Sequence, residues 1–294
     1  MSNSGASFPV LLLGSARSGT TLMQRMLNSY DDVIIWGEHD AFLSNIAESY
    51  FQLVQSESME EFSFPQSKGN SVSLSIYKEP GQWQAWNNWF GEDDLKGIYH
   101  EFLKSFFVSD WTNEIRIWGF KEVRYGGGDR VVELFKAIFP DVKIIIMFRD
   151  PVNVIDSQLM AFNNIGGRLR KVRKLFMLPT IYRMAKHWNL MNEGFIEYFE
   201  IFPDSILVVA YEDFIGSENE AQRVFSFVDL YFGESQRDVL NMKSGRGSAY
   251  TESGRAGTSD RWRELGLIPA LLVKLVTNRV YKRLKTRFSK ESNL

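Results

Sequence analysis

Near the start of the chain an apolar run, Pro9-Val-Leu-Leu-Leu13, meets the loop Gly14-Ser-Ala-Arg-Ser-Gly-Thr-Thr21. Leu22, Met26 and Leu27 follow at helical spacing. A buried strand that turns through a short loop directly into a helix opens a crossover unit, and such units build parallel sheets. The loop is also suited to an anion. Gly14 and Gly19 allow a tight turn and close backbone approach. Thr20 and Thr21 add hydroxyls, and the helix start adds unsatisfied N–H groups and the positive end of its dipole. Ser15 and Ser18 lie within the same cradle, and Arg17 is its cation.

The remaining chain repeats the alternation. Strands are expected over 33–36, 115–120, 142–148 and 205–209. Helices are expected over 20–29, over 131–139 with Asp129 as cap, from Pro151 onward, and over 218–230. Helices between strands indicate an α/β, three-layer fold of P-loop type: a mainly parallel central sheet with helices on both faces. We expect one domain over 1–294, interrupted by a polar loop and helical insertion over 56–118. Five of the eight tryptophans (Trp83, Trp86, Trp89, Trp111 and Trp118) fall in 83–118. They read as the core of that insertion or as a substrate-lining wall. Residues 241–260 hold four Gly, four Ser and two Arg, so 241–262 reads as a mobile closing loop.

Composition narrows the function. The net charge of −2 argues against a nucleic-acid binder. Zero cysteines exclude disulfides, thiolate catalysis and Cys-based zinc sites. The run Phe8–Leu13 is too short for a signal peptide, and no stretch reaches a membrane span, so a cytoplasmic setting is expected. Charge is uneven, however. Residues 261–294 carry nine Lys/Arg and two Glu, a local +7, which leaves −9 for the rest. A second basic knot is Arg168, Arg170, Lys171, Arg173 and Lys174. Each cluster is accounted for by a solvated helix face. The other reading is contact with an anionic acceptor, or peripheral contact with a membrane by the C-terminal segment 263–294, for which a domain-packing helix is an equal alternative.

The phosphate loop of nucleoside triphosphatases reads G-x-x-x-x-G-K-[ST]. Here the spacing is kept, but Thr20 stands where the lysine reaches the β/γ-phosphates. That speaks against a triphosphate. A P-loop kinase or nucleotidase using magnesium–ATP, with Asp150 as a candidate magnesium acid, remains the second reading. A non-catalytic nucleotide-binding module is the third.

The string Arg17-Ser-Gly-Thr-Thr-Leu22 with Gly37-Glu38 resembles the sulfotransferases that use 3′-phosphoadenosine 5′-phosphosulfate. It is most similar to the branch holding tyrosylprotein sulfotransferases and bacterial relatives. Their second signature, an Arg-Asp after a strand and a Ser eight residues past the Arg, matches Phe148-Arg-Asp-Pro-Val-Asn-Val-Ile-Asp-Ser157. The resemblance runs from about Leu11 to Trp262.

It implies metal-independent transfer of a sulfuryl group to a hydroxyl or amine, leaving 3′-phosphoadenosine 5′-phosphate. Loop 14–21 would hold the phosphosulfate, and Arg149 and Ser157 the 3′-phosphate. Lys121, beside Arg17, would neutralise the leaving group. Glu38 is implied as general base, with His39 as the alternative because its ordinary pKa is near neutrality. Tyr211 would approach the nucleotide. Arg255, Ser259 and Arg261 resemble a loop that closes over it. The acceptor is left open among small molecules, glycans, lipids and peptides. Independently of the family, Arg17, Glu38, Lys121, Arg149 and Tyr211 each lie shortly after an expected strand. They therefore share the carboxyl edge of a parallel sheet, where such sheets bind ligands.

Overall fold

The structure, a computed structural model, describes residues 7–57, 91–108, 115–126, 128–162, 174–241 and 262–289. In chain order the elements are β1 (Phe8–Gly14), α1 (Thr20–Leu27), β2 (Val33–Trp36), α2 (Leu43–Val54), α3 (Glu92–Phe107), β3 (Ile117–Glu122), α4 (Val131–Ile138), β4 (Lys143–Phe148), α5 (Pro151–Phe162), α6 (Leu178–Ile201), β5 (Ile206–Ala210), α7 (Tyr211–Gly216), α8 (Glu218–Phe227), α9 (Glu234–Asn241), α10 (Trp262–Leu265) and α11 (Leu267–Phe288). They fall into two compact units. One comprises Met1–Ala41, Thr112–Gly128 and Asp141–Leu294, and the other Phe42–Trp111 and Asp129–Pro140.

The first unit is built on a five-stranded sheet in the order β2-β3-β1-β4-β5, parallel at every pairing. Parallel strands covered on both faces need near-continuous apolar runs. β1 and β4 supply them, with every residue after the first buried. Val10, Leu12, Ile145, Met147 and Val209 pack with Met23, Met26 and Leu27 of α1 and with Phe214, Val224 and Phe225 of α7 and α8. On the opposite face Leu11, Leu13, Ile144 and Ile146 are also buried. There α6 and α11 pack together and reach β5, and α5, α6, α10 and α11 share a second apolar cluster. Gly119 interrupts β3 for a steric reason: a Cβ there would lie 1.9 Å from the Val10 carbonyl oxygen of β1.

The expected strands form to within about two residues. The one shift that touches the site is in β3, expected to stop at Phe120 but running to Glu122. Lys121 is thus not past the strand. It is the penultimate β3 residue, opposite Leu12 of β1. Trp118 is likewise a buried β3 residue. The other four tryptophans of its cluster lie outside the described residues, as do Arg168, Arg170, Lys171 and Arg173. Lys174 overturns the solvated-face reading at its position. It is fully buried and paired with the equally buried Asp156 of α5, and its ammonium also donates to the Glu264 carbonyl.

The second unit packs α2, α3 and α4 around aromatic side chains. Tyr50 meets Tyr99 edge-on with ring centroids 5.0 Å apart, and Arg130 lies 3.6 Å over Phe51. Glu92, Asp93 and Asp94 occupy the first turn of α3, where carboxylates favour the helix dipole, and Asp94 accepts the Gly91 N–H. The Asp129 carboxylate accepts the Val131 N–H, as expected of the residue opening α4.

Candidate active site

The β1–α1 loop buries two hydroxyls that find no hydrogen-bond partner among the described residues. The Ser18 N–H closes a turn on the Ser15 carbonyl at 3.1 Å. Arg17 takes a left-handed conformation at φ 74°, and Gly19 takes φ 105°. A side chain at Gly19 would strike the Tyr211 ring at 2.3 Å. One at Gly14 would meet both the Met147 carbonyl and Ser18 Oγ within 2.6 Å. Helix α1 starts at Thr20 without a side-chain cap, which leaves its first N–H groups for another acceptor. Ser15 Oγ and Ser18 Oγ are buried without a hydrogen-bond partner among the described residues. Buried hydroxyls are nearly always paired in folded proteins, so two orphans in one loop point to polar atoms of a ligand.

The β4–α5 connection is fastened to this loop. Arg17 Nε donates to Ser157 Oγ at 2.9 Å, and an Arg149 guanidinium N–H donates to the Arg17 carbonyl at 3.4 Å. Gln158, which belongs to neither motif, donates to the Ala16 carbonyl at 3.0 Å. Arg149 is buried. It stacks 4.2 Å over the Tyr211 ring and stands 3.9 Å from the Glu212 carboxylate. Burial pushes the Glu212 carboxyl above its ordinary range despite the Asp150 N–H and the neighbouring Arg149. Tyr211 belongs to the apolar core and also carries Arg149 and underlies Gly19. Asp150, the candidate magnesium acid, is occupied in capping α5: one carboxylate oxygen accepts the Val152 and Asn153 N–H groups. Among the described residues no group of His, Asp and Glu is arranged to hold a metal ion.

At the other side of β1 the end of β3 meets the loop after β2. The buried Lys121 ammonium donates to the Glu38 carboxylate, so two candidate catalytic groups are ion-paired. Arg124 stands 3.5 Å from the second Glu38 oxygen. Behind them lies a further carboxylate. Glu122 is fully buried, and one of its oxygens accepts the His39 and Ala41 N–H groups at 3.1 Å. The other accepts the Val123 N–H at 2.9 Å and an Arg124 N–H at 2.8 Å. Burial alone would raise this carboxyl, but the three backbone donors and Arg124 outweigh it and hold it below the ordinary range. The available signal was a charged pair ending an otherwise apolar strand.

His39 is half-buried. Its Nε2 lies 2.8 Å from the Tyr125 hydroxyl, and its ring meets Phe120 edge-on. Burial lowers its pKa and so favours the neutral ring, an effect only partly offset by the neighbouring Glu122. Arg255, Ser259 and Arg261 lie outside the described residues.

Sheet order and loop define an α/β protein of the P-loop type. The model for the family described as "Sulfotransferase family" matches residues 9–234, and the chain belongs to that family. Among solved structures it is similar to the sulfotransferase domain of the curacin biosynthetic pathway. The identity is 15%, covering 96% of this chain and 99% of that one, with a TM-score of 0.50. The sulfotransferase domain of the Synechococcus PCC 7002 olefin synthase gives 17% identity, 96% of each chain and a TM-score of 0.49. A sulfotransferase from Alicyclobacillus acidocaldarius gives 15%, 93% of this chain, 97% of that one and 0.47. No curated protein matches the chain significantly.

Proposed function

We propose that this sulfotransferase draws its sulfuryl group from 3′-phosphoadenosine 5′-phosphosulfate and delivers it, without a metal, to a hydroxyl or amine. The observation that carries the reading is the fusion of two anion-binding stretches into one cationic clamp. Arg17 of the first bonds Ser157 of the second at 2.9 Å, with buried Arg149 on the Arg17 carbonyl. A donor with a phosphosulfate and a separate 3′-phosphate calls for two such cradles side by side. Loop 14–21 would take the first through its backbone N–H groups, the Ser15 and Ser18 hydroxyls and the Thr20 and Thr21 side chains. Arg149 and Ser157 would take the second, with Tyr211 keeping Arg149 in place.

The bound donor supplies an activated sulfur on a phosphate leaving group, and the chain's residues do the rest. As the acceptor oxygen or nitrogen bonds to sulfur, its proton passes to the Glu38 carboxylate. The bridging S–O bond breaks, and Lys121 and Arg17 neutralise the charge that collects on the phosphate. The Lys121–Glu38 ion pair keeps base and cation side by side at the edge of the space in which transfer would occur. Glu38 is favoured over His39 as base because its carboxylate faces Lys121, whereas the imidazole is engaged by Tyr125 and Phe120.

Calorimetry on the full chain tests the donor. Titration with 3′-phosphoadenosine 5′-phosphate in metal-free buffer should show one site, weakened roughly 10–150-fold in Arg149→Ala as a hydrogen-bonded charge is lost. Absence of that binding together with firm uptake of magnesium–ATP would overturn the reading. Radiolabelled donor offered to small-molecule alcohols and amines, glycans, lipids and peptides then identifies the acceptor class.

A further inference from the structure

We infer that α11 docks this protein on an anionic lipid bilayer, lying on the surface rather than crossing it. Successive helical residues turn by 100°, so side-chain positions sort by face. Pro269, Ala270, Val273, Thr277, Val280 and Leu284 form the buried face. The opposite face begins apolar and ends basic. Leu267, Ile268, Leu271 and Leu275 are exposed, Leu275 to 81%. Lys274, Arg279 and Lys282 are exposed on the same side. Scattered single exposed leucines are ordinary, but four apolar side chains on consecutive turns of one helix face form a patch.

Charge decides what covers it. The stretch 267–288 has six Lys/Arg and no acid. Arg283 and Arg287 bind Glu200, and Lys285 lies over the Tyr281 ring. Lys274, Arg279 and Lys282, those nearest the apolar patch, make no ion pair among the described residues. The rest of the chain is net acidic while 261–294 carries +7, so a negatively charged surface attracts this segment in preference to the rest. An anionic bilayer meets both demands together, with acyl chains for the leucines and headgroups for the cations. Among the described residues no helix is long and apolar enough to cross a membrane, which fits a helix that rests on one.

Cosedimentation of the full chain with vesicles tests this, and its outcome is independent of which sulfuryl donor is used. The chain should pellet with phosphatidylcholine vesicles containing phosphatidylglycerol and stay soluble with phosphatidylcholine alone. Binding should fall as salt rises from about 0.1 M to about 1 M, which shortens the screening length to roughly 3 Å. Replacing Lys274, Arg279 and Lys282 together by Gln should weaken it about 100-fold, near fivefold per cation. Leu271→Ser with Leu275→Ser should weaken it at least about tenfold. Both variants alter exposed side chains, so their thermal melts should match the parent. Failure to pellet with anionic vesicles overturns the inference. So does vesicle binding that survives both variants. So does a lipid-free dimer that Leu271→Ser with Leu275→Ser converts to monomer, since the patch would then belong to a second copy.

Discussion

Two loops on the same sheet edge are built in opposite ways. The loop after β1 keeps hydrogen-bonding capacity unspent, with two buried serine hydroxyls that find no hydrogen-bond partner among the described residues and an uncapped helix behind them. The loop after β2 is tied down from the end of β3, because one Glu122 oxygen accepts the His39 and Ala41 N–H groups just after Glu38 and the other accepts the Val123 N–H and an Arg124 N–H. An unsatisfied buried group costs stability and is kept where a ligand will satisfy it. A saturated one adds stability and fixes geometry. On the proposed function, the first loop is made to bind, and the second to hold Glu38 still.

The sharpest way to break this contrast is at the fixed side chain. Glu38→Gln should lower turnover by about 10²–10⁴, the range for a general base, while product binding measured by calorimetry stays within a few-fold. If His39→Ala is instead the inactive variant, the two exchange roles. Lys121→Ala should cost about 10²–10³ in turnover with the chain still folded by circular dichroism, as for loss of a preorganised charge-stabilising donor. Unchanged turnover would remove Lys121 from the chemistry.

The supporting carboxylate behaves differently. Glu122→Gln should lower unfolding free energy by about 1–3 kcal/mol in urea titration, since its buried donors lose a charged acceptor. Its pKa is depressed in the folded state. Its contribution is therefore complete above the ordinary Glu value of about 4.3 and disappears as pH falls from there through the lower folded value. Acid titration of stability should be shallower in the variant. The smallest effect has the opposite sign. Ser18→Ala should leave stability unchanged or raise it by up to about 1 kcal/mol, because an unpaired buried hydroxyl is removed. It should still weaken binding of 3′-phosphoadenosine 5′-phosphate roughly three- to tenfold. A loss of stability there would mean that the hydroxyl has a protein partner.

Much of the edge was legible from sequence because each participant follows an apolar run. Gly14, Arg17, Glu38, Lys121, Arg149 and Tyr211 could be placed by counting strands, since parallel strands share one carboxyl end. The supporting contacts were not legible. Arg17 and Ser157 are 140 residues apart, and their bond depends on how β1 and β4 sit side by side. Lys174 sat in a run of cations that reads as a solvated face, yet it is buried against Asp156. Local composition carries no information on whether a distant carboxylate awaits one member of such a run.

The chain by itself determined the parallel α/β architecture, the anion-binding loop and the edge on which the candidate groups gather. Those follow from hydrophobic period and from the backbone freedom of glycine, which act over a few residues. Only tertiary structure decided which groups meet: Lys121 with Glu38, Glu122 with the backbone around them, Arg149 with Tyr211, and the leucines of α11 left facing outward. Pairings of that kind are set by strand order and helix rotation, and burial then decides whether each charge is satisfied or left for a ligand.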